Sequence, residues 1–216
     1  MSSNCFYKKS FKIIMFLVTV PVLYLAGHLG YNYFSGNVHA VIPNKIYRTA
    51  QLDDAQLTKV TEKLHLKTII NLRGKWPDNK WYQVESQFAK KHHLNYYSVQ
   101  FSAYNLPKVD RLRELVHLLQ TAPKPLAFHC EGGADRTGMA AAISVILFDK
   151  DPTITEIKKQ ASWHYNAISL KTVGYQVMMN YFAWLKQHHF KQSKERFLEW
   201  VNSPLKMKSY HGRFWV

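Results

Sequence analysis

The stretch LAFHCEGGADRTGMAAAISVILF, residues 126–148, joins three patterns in one run of the chain. Its first five residues have the apolar composition of a short buried strand, and the residues from Arg136 onward have that of a buried helix. Two glycines, an alanine and an aspartate between them add little side-chain bulk. The stretch therefore predicts a strand, a tight loop and a helix, with Cys130 at the carboxyl end of the strand.

The segments around this stretch repeat the same alternation of strand and helix. Strands are predicted within 41–52 and at 68–73, 94–101 and 126–130. Helices are predicted at 53–64, 81–93, 109–122, 136–148, 170–190 and 195–201. A further helix is predicted to begin at a capping box of Thr153 and Glu156. Such alternation indicates an α/β fold with a central, mostly parallel sheet flanked by helices on both faces. Sites in these folds lie beyond the carboxyl ends of the strands, where Cys130 is expected.

The loop after the strand has the properties of an anion-binding cradle. Gly132, Gly133 and Ala134 let the backbone close around a tetrahedral oxyanion at the positive end of the helix dipole. Arg136 can hold two oxygens of that anion, and the same groups favour the thiolate of Cys130. A thiolate beneath a bound phosphoryl group is placed for attack on it. A plain glycine turn would explain the glycines but not the spacing of the cysteine and the arginine.

These residues carry a resemblance to a known family. HCEGGADRT matches the protein tyrosine phosphatase signature, and the segments IYRTAQL and TIINLRG resemble compact bacterial dual-specificity phosphatases of the TpbA-like group over about residues 44–190. The resemblance implies a cysteine-dependent phosphatase fold, a cysteinyl-phosphate intermediate, and no metal or other cofactor. It assigns the nucleophile to Cys130, the phosphate clamp to Arg136, and the loop lining to the amides from Glu131 onward. Thr137 is predicted either to hydrogen-bond the sulfur or to be a plain first-turn helix residue, and His129 to hold the loop geometry or to be a plain strand residue.

The family's general acid, an aspartate ahead of the cysteine, has no counterpart in SVQFSAYNLPKVD, residues 98–110, before its final residue. Asp135 is the preferred candidate, although its carboxylate could instead orient the loop. Asp110 is expected to cap a helix. Asp78 follows Trp76 and Pro77 in the letters of an acid-loop motif, but on another connection, and we interpret that match as coincidence.

The overall charge favours anionic partners. Twenty-nine Lys and Arg against fourteen Asp and Glu give a net charge of +15 over 216 residues. The predicted partner is a phosphorylated protein or a small phosphoester, whereas nucleic acid is not expected because the basic residues are scattered. Two alternatives stay open: a lipid or inositol phosphate phosphatase, and a pseudophosphatase that binds phosphate without turnover.

The N-terminal segment has the pattern of a membrane signal. Three lysines at positions 8, 9 and 12 precede an uncharged, largely apolar run over 13–44. This predicts a signal anchor or a signal peptide over 1–40, before a catalytic domain over 41–190 and a basic helical tail over 191–216. In a bacterium the catalytic domain would face the periplasm, anchored at the inner membrane or free if the segment is cleaved.

Overall fold

The computed structural model describes residues 3–103, 105–168, 172–204 and 206–208, with side chains from residue 15 onward. The first element is a long helix, α1 (Ser3–Phe34). Within the described residues it alone is long and apolar enough to cross a membrane, over Met15–Phe34, and 6% of that window is buried. The predicted helix start at 170 and the last eight residues of the predicted tail lie outside the described residues.

Five short strands form one sheet. They are β1 (His39–Ile42), β2 (Ile46–Thr49), β3 (Thr68–Asn71), β4 (Asn95–Ser98) and β5 (Leu126–His129). Their order is β1-β2-β5-β3-β4, and only the pairing of β1 with β2 is antiparallel. The predicted mostly parallel sheet is confirmed. The segment 41–52 had been expected to hold one strand and a turn, whereas β1 and β2 form a hairpin around Asn44, whose φ is +61°.

Helices cover both faces of the sheet, as predicted. After α1 come α2 (Asp54–Leu64), α3 (Lys80–Lys91), α4 (Val109–Thr121), α5 (Asp135–Phe148), α6 (Ile154–Lys159), α7 (Val173–Gln187) and α8 (Lys194–Asn202). Successive strand residues point to opposite faces. Ile70 and Phe128 accordingly join the large core with α4, α5, α7 and α8, whereas Ile69 packs with Leu57 of α2 and Phe88 of α3.

The helix boundaries follow from local chemistry. Asp53 accepts a hydrogen bond from the Gln56 amide in a capping box that begins α2, and Thr153 with Glu156 forms the predicted capping box of α6. The predicted capping role of Asp110 is wrong, because the chain enters α4 one residue earlier and the N-cap is Lys108. Asp110 lies instead in the first turn, where a carboxylate favours the positive end of the helix dipole.

Candidate active site

The parallel strands end together at one edge of the sheet, and Cys130 lies there. Thr49 at the end of β2 and Asn71 at the end of β3 are both in register with His129 at the end of β5. Cys130 follows directly and is 3% exposed, and α5 begins five residues later at Asp135. The predicted order of strand, loop and helix is therefore present, with the thiol at the base of the loop.

The backbone of the loop is arranged for an anion. No described hydrogen bond uses the N–H groups of Glu131, Gly132, Gly133 or Ala134, whereas the carbonyls of all four residues accept hydrogen bonds from outside the loop. Gly133 makes the sharpest turn, with φ at +67°, and a Cβ on it would lie 2.7 Å from the Ala50 nitrogen. Donors left free at the end of a helix attract anions. The loop can therefore hold an oxyanion above Cys130.

Arg136 and Thr137, in the first turn of α5, offer unused polar atoms beside this loop. Arg136 Nη1 donates to the Phe101 carbonyl at 3.4 Å, and Nη2 lies 4.0 Å from the Glu131 carboxylate. In the described part of the chain, the buried Arg136 Nε and Thr137 Oγ1 have no hydrogen-bond partner. The predicted hydrogen bond from Thr137 to the Cys130 sulfur is not formed here. Buried donors of this kind are ordinarily satisfied, so a bound oxyanion is a suitable partner for both.

A cleft of about 430 Å³ lies beside the loop, at Glu131 and Arg136. Arg73, Trp76, Trp81, Glu131 and Arg136 are among its lining residues. The Arg73 guanidinium stacks 3.8 Å from the centre of the Trp81 ring and lies 3.7 Å from the Glu131 carboxylate. Arg73 thus brings a positive charge to the cleft and pairs there with an acidic side chain.

Beneath the loop lies a buried ion pair that sequence reasoning did not find. His129 Nε2 lies 2.9 Å from a Glu85 oxygen, and both side chains are 3% exposed. Nδ1 of the same ring donates to the Cys130 carbonyl at 3.1 Å, and Tyr96 donates to Glu85 at 2.7 Å. Burial alone would raise the pKa of Glu85, but the charge and hydrogen bond of His129, with the hydrogen bonds of Tyr96 and Gln51, lower it overall. His129 thus holds the backbone of the nucleophile.

The three candidate acids occupy different places. Asp135 begins α5 and hydrogen-bonds Thr172; burial raises its pKa, while Thr172 and the charge of Arg136 oppose this. Asp110 is exposed and lies 3.5 Å from Arg113. Asp78 is exposed and is not among the cleft residues, although its neighbours Trp76 and Asn79 are. Burial and the raised pKa favour Asp135 as the general acid. The connection that carries Asp78 is favoured instead by its position at the cleft.

A comparison with protein families identifies the chain. A model of the tyrosine phosphatase family matches residues 29–155, which is more than half of the sequence. The chain belongs to the tyrosine phosphatase family. This confirms the resemblance found in the loop and makes the protein a cysteine-dependent phosphatase by family. The match begins inside α1, so the family region includes the end of that helix.

Solved structures with TM-scores above 0.5 share the fold at low sequence identity. The core catalytic domain of the PP-IP phosphatase SIW14 from S. cerevisiae is 20% identical, with a TM-score of 0.55 over 71% of this chain and 93% of its own. A putative phosphatase from Shewanella putrefaciens CN-32 is 14% identical, with a TM-score of 0.51 over 72% and 94%. TpbA from P. aeruginosa is 20% identical, with a TM-score of 0.43 over 68% and 92%. A comparison with curated proteins finds no significant match.

Proposed function

We propose that this phosphatase hydrolyses phosphate monoesters of the phosphotyrosine type, with dual specificity as a further property, through a cysteinyl-phosphate intermediate. The observation that supports this most is the loop around Cys130. Its N–H groups are free and its carbonyls are held outward, so a phosphoryl group would find donors on every side. Arg136 would bind two of the phosphoryl oxygens and bring the phosphorus atom over the sulfur.

The proposed reaction has two steps. The Cys130 thiolate attacks phosphorus, the bond to the ester oxygen breaks, and the leaving oxygen takes a proton from a general acid. Water then attacks the phosphocysteine, which releases inorganic phosphate and restores the thiolate. We assign the acid to Asp135, because its raised pKa keeps it protonated to a higher pH than an ordinary aspartate. Arg136 would stabilise the charge on the transferred group in both steps.

The test of catalysis uses the full chain in detergent and p-nitrophenyl phosphate. Cys130→Ser is expected to reduce turnover to background, because near neutral pH a serine hydroxyl is a far weaker nucleophile than a thiolate. Cys5→Ser, at the other cysteine of the sequence, is the matched control and is expected to keep full turnover. A folded wild type that binds phosphate without turnover would instead identify a pseudophosphatase.

The acid is tested by comparing Asp135→Asn with Asp78→Asn. A lost general acid lowers the rate by about 10²- to 10⁴-fold, and more for alkyl than for aryl esters, because an alkoxide leaves less readily than a phenolate. Asp135→Asn is expected to show this dependence on the leaving group and Asp78→Asn is not. The opposite result would assign the acid to the connection after β3.

Lipid or inositol phosphates are the second candidate substrates. Arg73 and Arg136 line the same cleft, which suits a ligand with more than one anionic group. Arg73→Gln would then reduce kcat/KM for a phosphoinositide in vesicles by more than it does for a phosphotyrosine peptide. Equal reductions would favour the protein substrate.

We also propose that α1 anchors the protein in the inner membrane of a bacterium, with the catalytic domain in the periplasm. The three lysines near the start of α1 and the uncharged run that follows them support this orientation. External protease added to spheroplasts is then expected to degrade the catalytic domain. A protected domain would place the site in the cytoplasm, and a shortened N-terminus in mass spectrometry would show cleavage of the segment.

A further inference from the structure

The carbonyls of the phosphate loop are held from outside by two side chains far away in the sequence. We propose that Asn37 and Arg48 are positioning residues of this loop, and that Asn37 makes the end of α1 a structural part of the active site. The inference rests on the proposed function in one respect, that the loop binds phosphate.

Arg48 holds the loop from the end of β2. Its side chain is fully buried, and Nη2 donates to the Gly133 carbonyl at 3.0 Å and to the Ala134 carbonyl at 3.4 Å. Nη1 donates to the Gln160 carbonyl at 2.7 Å, and the guanidinium stacks 3.8 Å from the centre of the Tyr165 ring. Three carbonyls on two segments are therefore fixed by a single planar group.

The charge of Arg48 is unusual for so deep a position. None of the ion pairs among the described residues includes it, although buried cations are normally paired. Burial lowers its pKa to about 10, while Tyr165 and Cys130 act in the opposite direction, so the group stays charged at neutral pH. A thiolate at Cys130 or a phosphate in the loop would supply the missing anion.

Asn37 holds the same loop and shares the Gly133 carbonyl with Arg48. Its side chain is 1% exposed, and Nδ2 lies within hydrogen-bond distance of the carbonyls of Gly132 at 3.1 Å, Gly133 at 3.2 Å and Tyr165 at 3.0 Å. Oδ1 accepts a hydrogen bond from His39 Nε2 at 3.1 Å. Because only the oxygen of the amide can accept, His39 turns the nitrogen toward the loop.

The end of α1 is fixed to the same region. Asn32, 1% exposed, donates to the His164 carbonyl at 2.9 Å and to the Asn166 side chain at 3.0 Å. Asn166 donates in turn to the Leu29 carbonyl at 3.1 Å. The backbone amide of Asn37 donates to the Asn32 carbonyl at 2.7 Å. The helix that precedes the catalytic domain thus continues, through hydrogen bonds, into the phosphate loop.

The C=O and N–H groups of one peptide plane point in opposite directions. The N–H groups of the loop therefore point inward only while its carbonyls point outward. Without Asn37 or Arg48, carbonyls of the loop would lose their partners, and the peptides could turn until the N–H groups no longer converge. The expected consequence is weaker phosphate binding, whether or not the fold is also less stable.

The test uses the full chain in detergent, with Cys5→Ser so that Cys130 is the only thiol. Inorganic phosphate is expected to protect Cys130 from iodoacetamide, and the phosphate concentration for half-protection would measure the affinity without any turnover. Asn37→Gly removes the side chain and tolerates the φ of +50° at this position. Asn44→Gly is the matched control, since Asn44 also has a positive φ of +61° but is exposed and has no described hydrogen bond to the loop.

Asn37→Gly is expected to weaken phosphate binding about tenfold, the effect of losing hydrogen bonds worth roughly 1 to 2 kcal/mol, and Asn44→Gly to leave it unchanged. Arg48→Lys, which keeps the charge but not the fork, is expected to weaken binding by a similar factor. Unchanged affinity in Asn37→Gly and Arg48→Lys would overturn the inference, even if both variants melt earlier. Protection that depends on Asn37 in a protein without turnover would support the inference while contradicting the proposed hydrolysis; a wild type that phosphate does not protect would overturn both.

Discussion

The two adjacent glycines of the loop are expected to respond in opposite ways to a single methyl group. At Gly133, φ is +67°, and a Cβ would lie 2.7 Å from the Ala50 nitrogen and 2.9 Å from the carbonyl carbon and oxygen of Thr49. These are backbone atoms at the end of β2, which pairs with β5, so they cannot rotate away as a side chain could. At Gly132 the same methyl group would meet no atom within 4 Å.

The size of the effect at Gly133 follows from two costs. A left-handed conformation costs an alanine roughly 1 to 2 kcal/mol. Overpacking against fixed atoms costs about 1 to 3 kcal/mol more. Gly133→Ala should therefore destabilise the protein by about 2 to 5 kcal/mol, or roughly 4 to 20 °C in Tm for a chain of this size.

Circular dichroism of the full chain in detergent measures this difference, with Gly132→Ala as the control. Gly132→Ala is expected to change the free energy of unfolding by less than about 0.5 kcal/mol. Phosphate protection of Cys130 should also be weaker in Gly133→Ala, because the two peptide groups that meet at this residue carry two of the loop's donors. Equal Tm values for the two variants would refute the account of the loop geometry given above.

Two further predictions concern groups behind the loop. Glu85→Gln should lower the free energy of unfolding by about 3 kcal/mol, because it leaves His129 buried without its carboxylate partner. Glu62→Gln is the control and should change the free energy of unfolding little, because Glu62 is exposed. Similar urea midpoints for the two variants would contradict a buried ion pair. Burial, with the charges of Arg48 and His28, lowers the pKa of His39 from 6.5 to about 4. The unfolded chain therefore binds the extra proton first, and Tm should fall as the pH drops from about 6.5 to 4 and level off below, with a shallower fall in His39→Gln.

The strand, loop and helix around Cys130 could be predicted because their signals are local. A buried apolar run, two glycines and a helix start are adjacent in the sequence, and chain direction alone places the cysteine at the carboxyl edge of the sheet. The same holds for the capping box of Thr153 and Glu156, whose two members are three residues apart.

The supports of the loop could not be predicted, because their partners are distant. Glu85 is 44 residues from His129, Arg48 is 85 from Gly133, and Asn37 is 95 from Gly132. A glutamate within an amphipathic helix, or an asparagine after an apolar helix, has the pattern of a surface residue. Arg48 reaches the loop only because β2 pairs with β5, and Glu85 only because α3 packs beside the sheet.

The short linker between α1 and Asn37 limits how far the cleft can move relative to α1. A flexible linker of twenty residues would let a tethered domain range over about 25 Å. Ser35 and Gly36, the two residues between Phe34 and Asn37, span at most about 7 Å, and hydrogen bonds fix both ends. If α1 anchors the protein as proposed, the cleft would keep one height and one direction relative to the membrane surface. Distance from that surface would then select among substrates as effectively as the cleft itself.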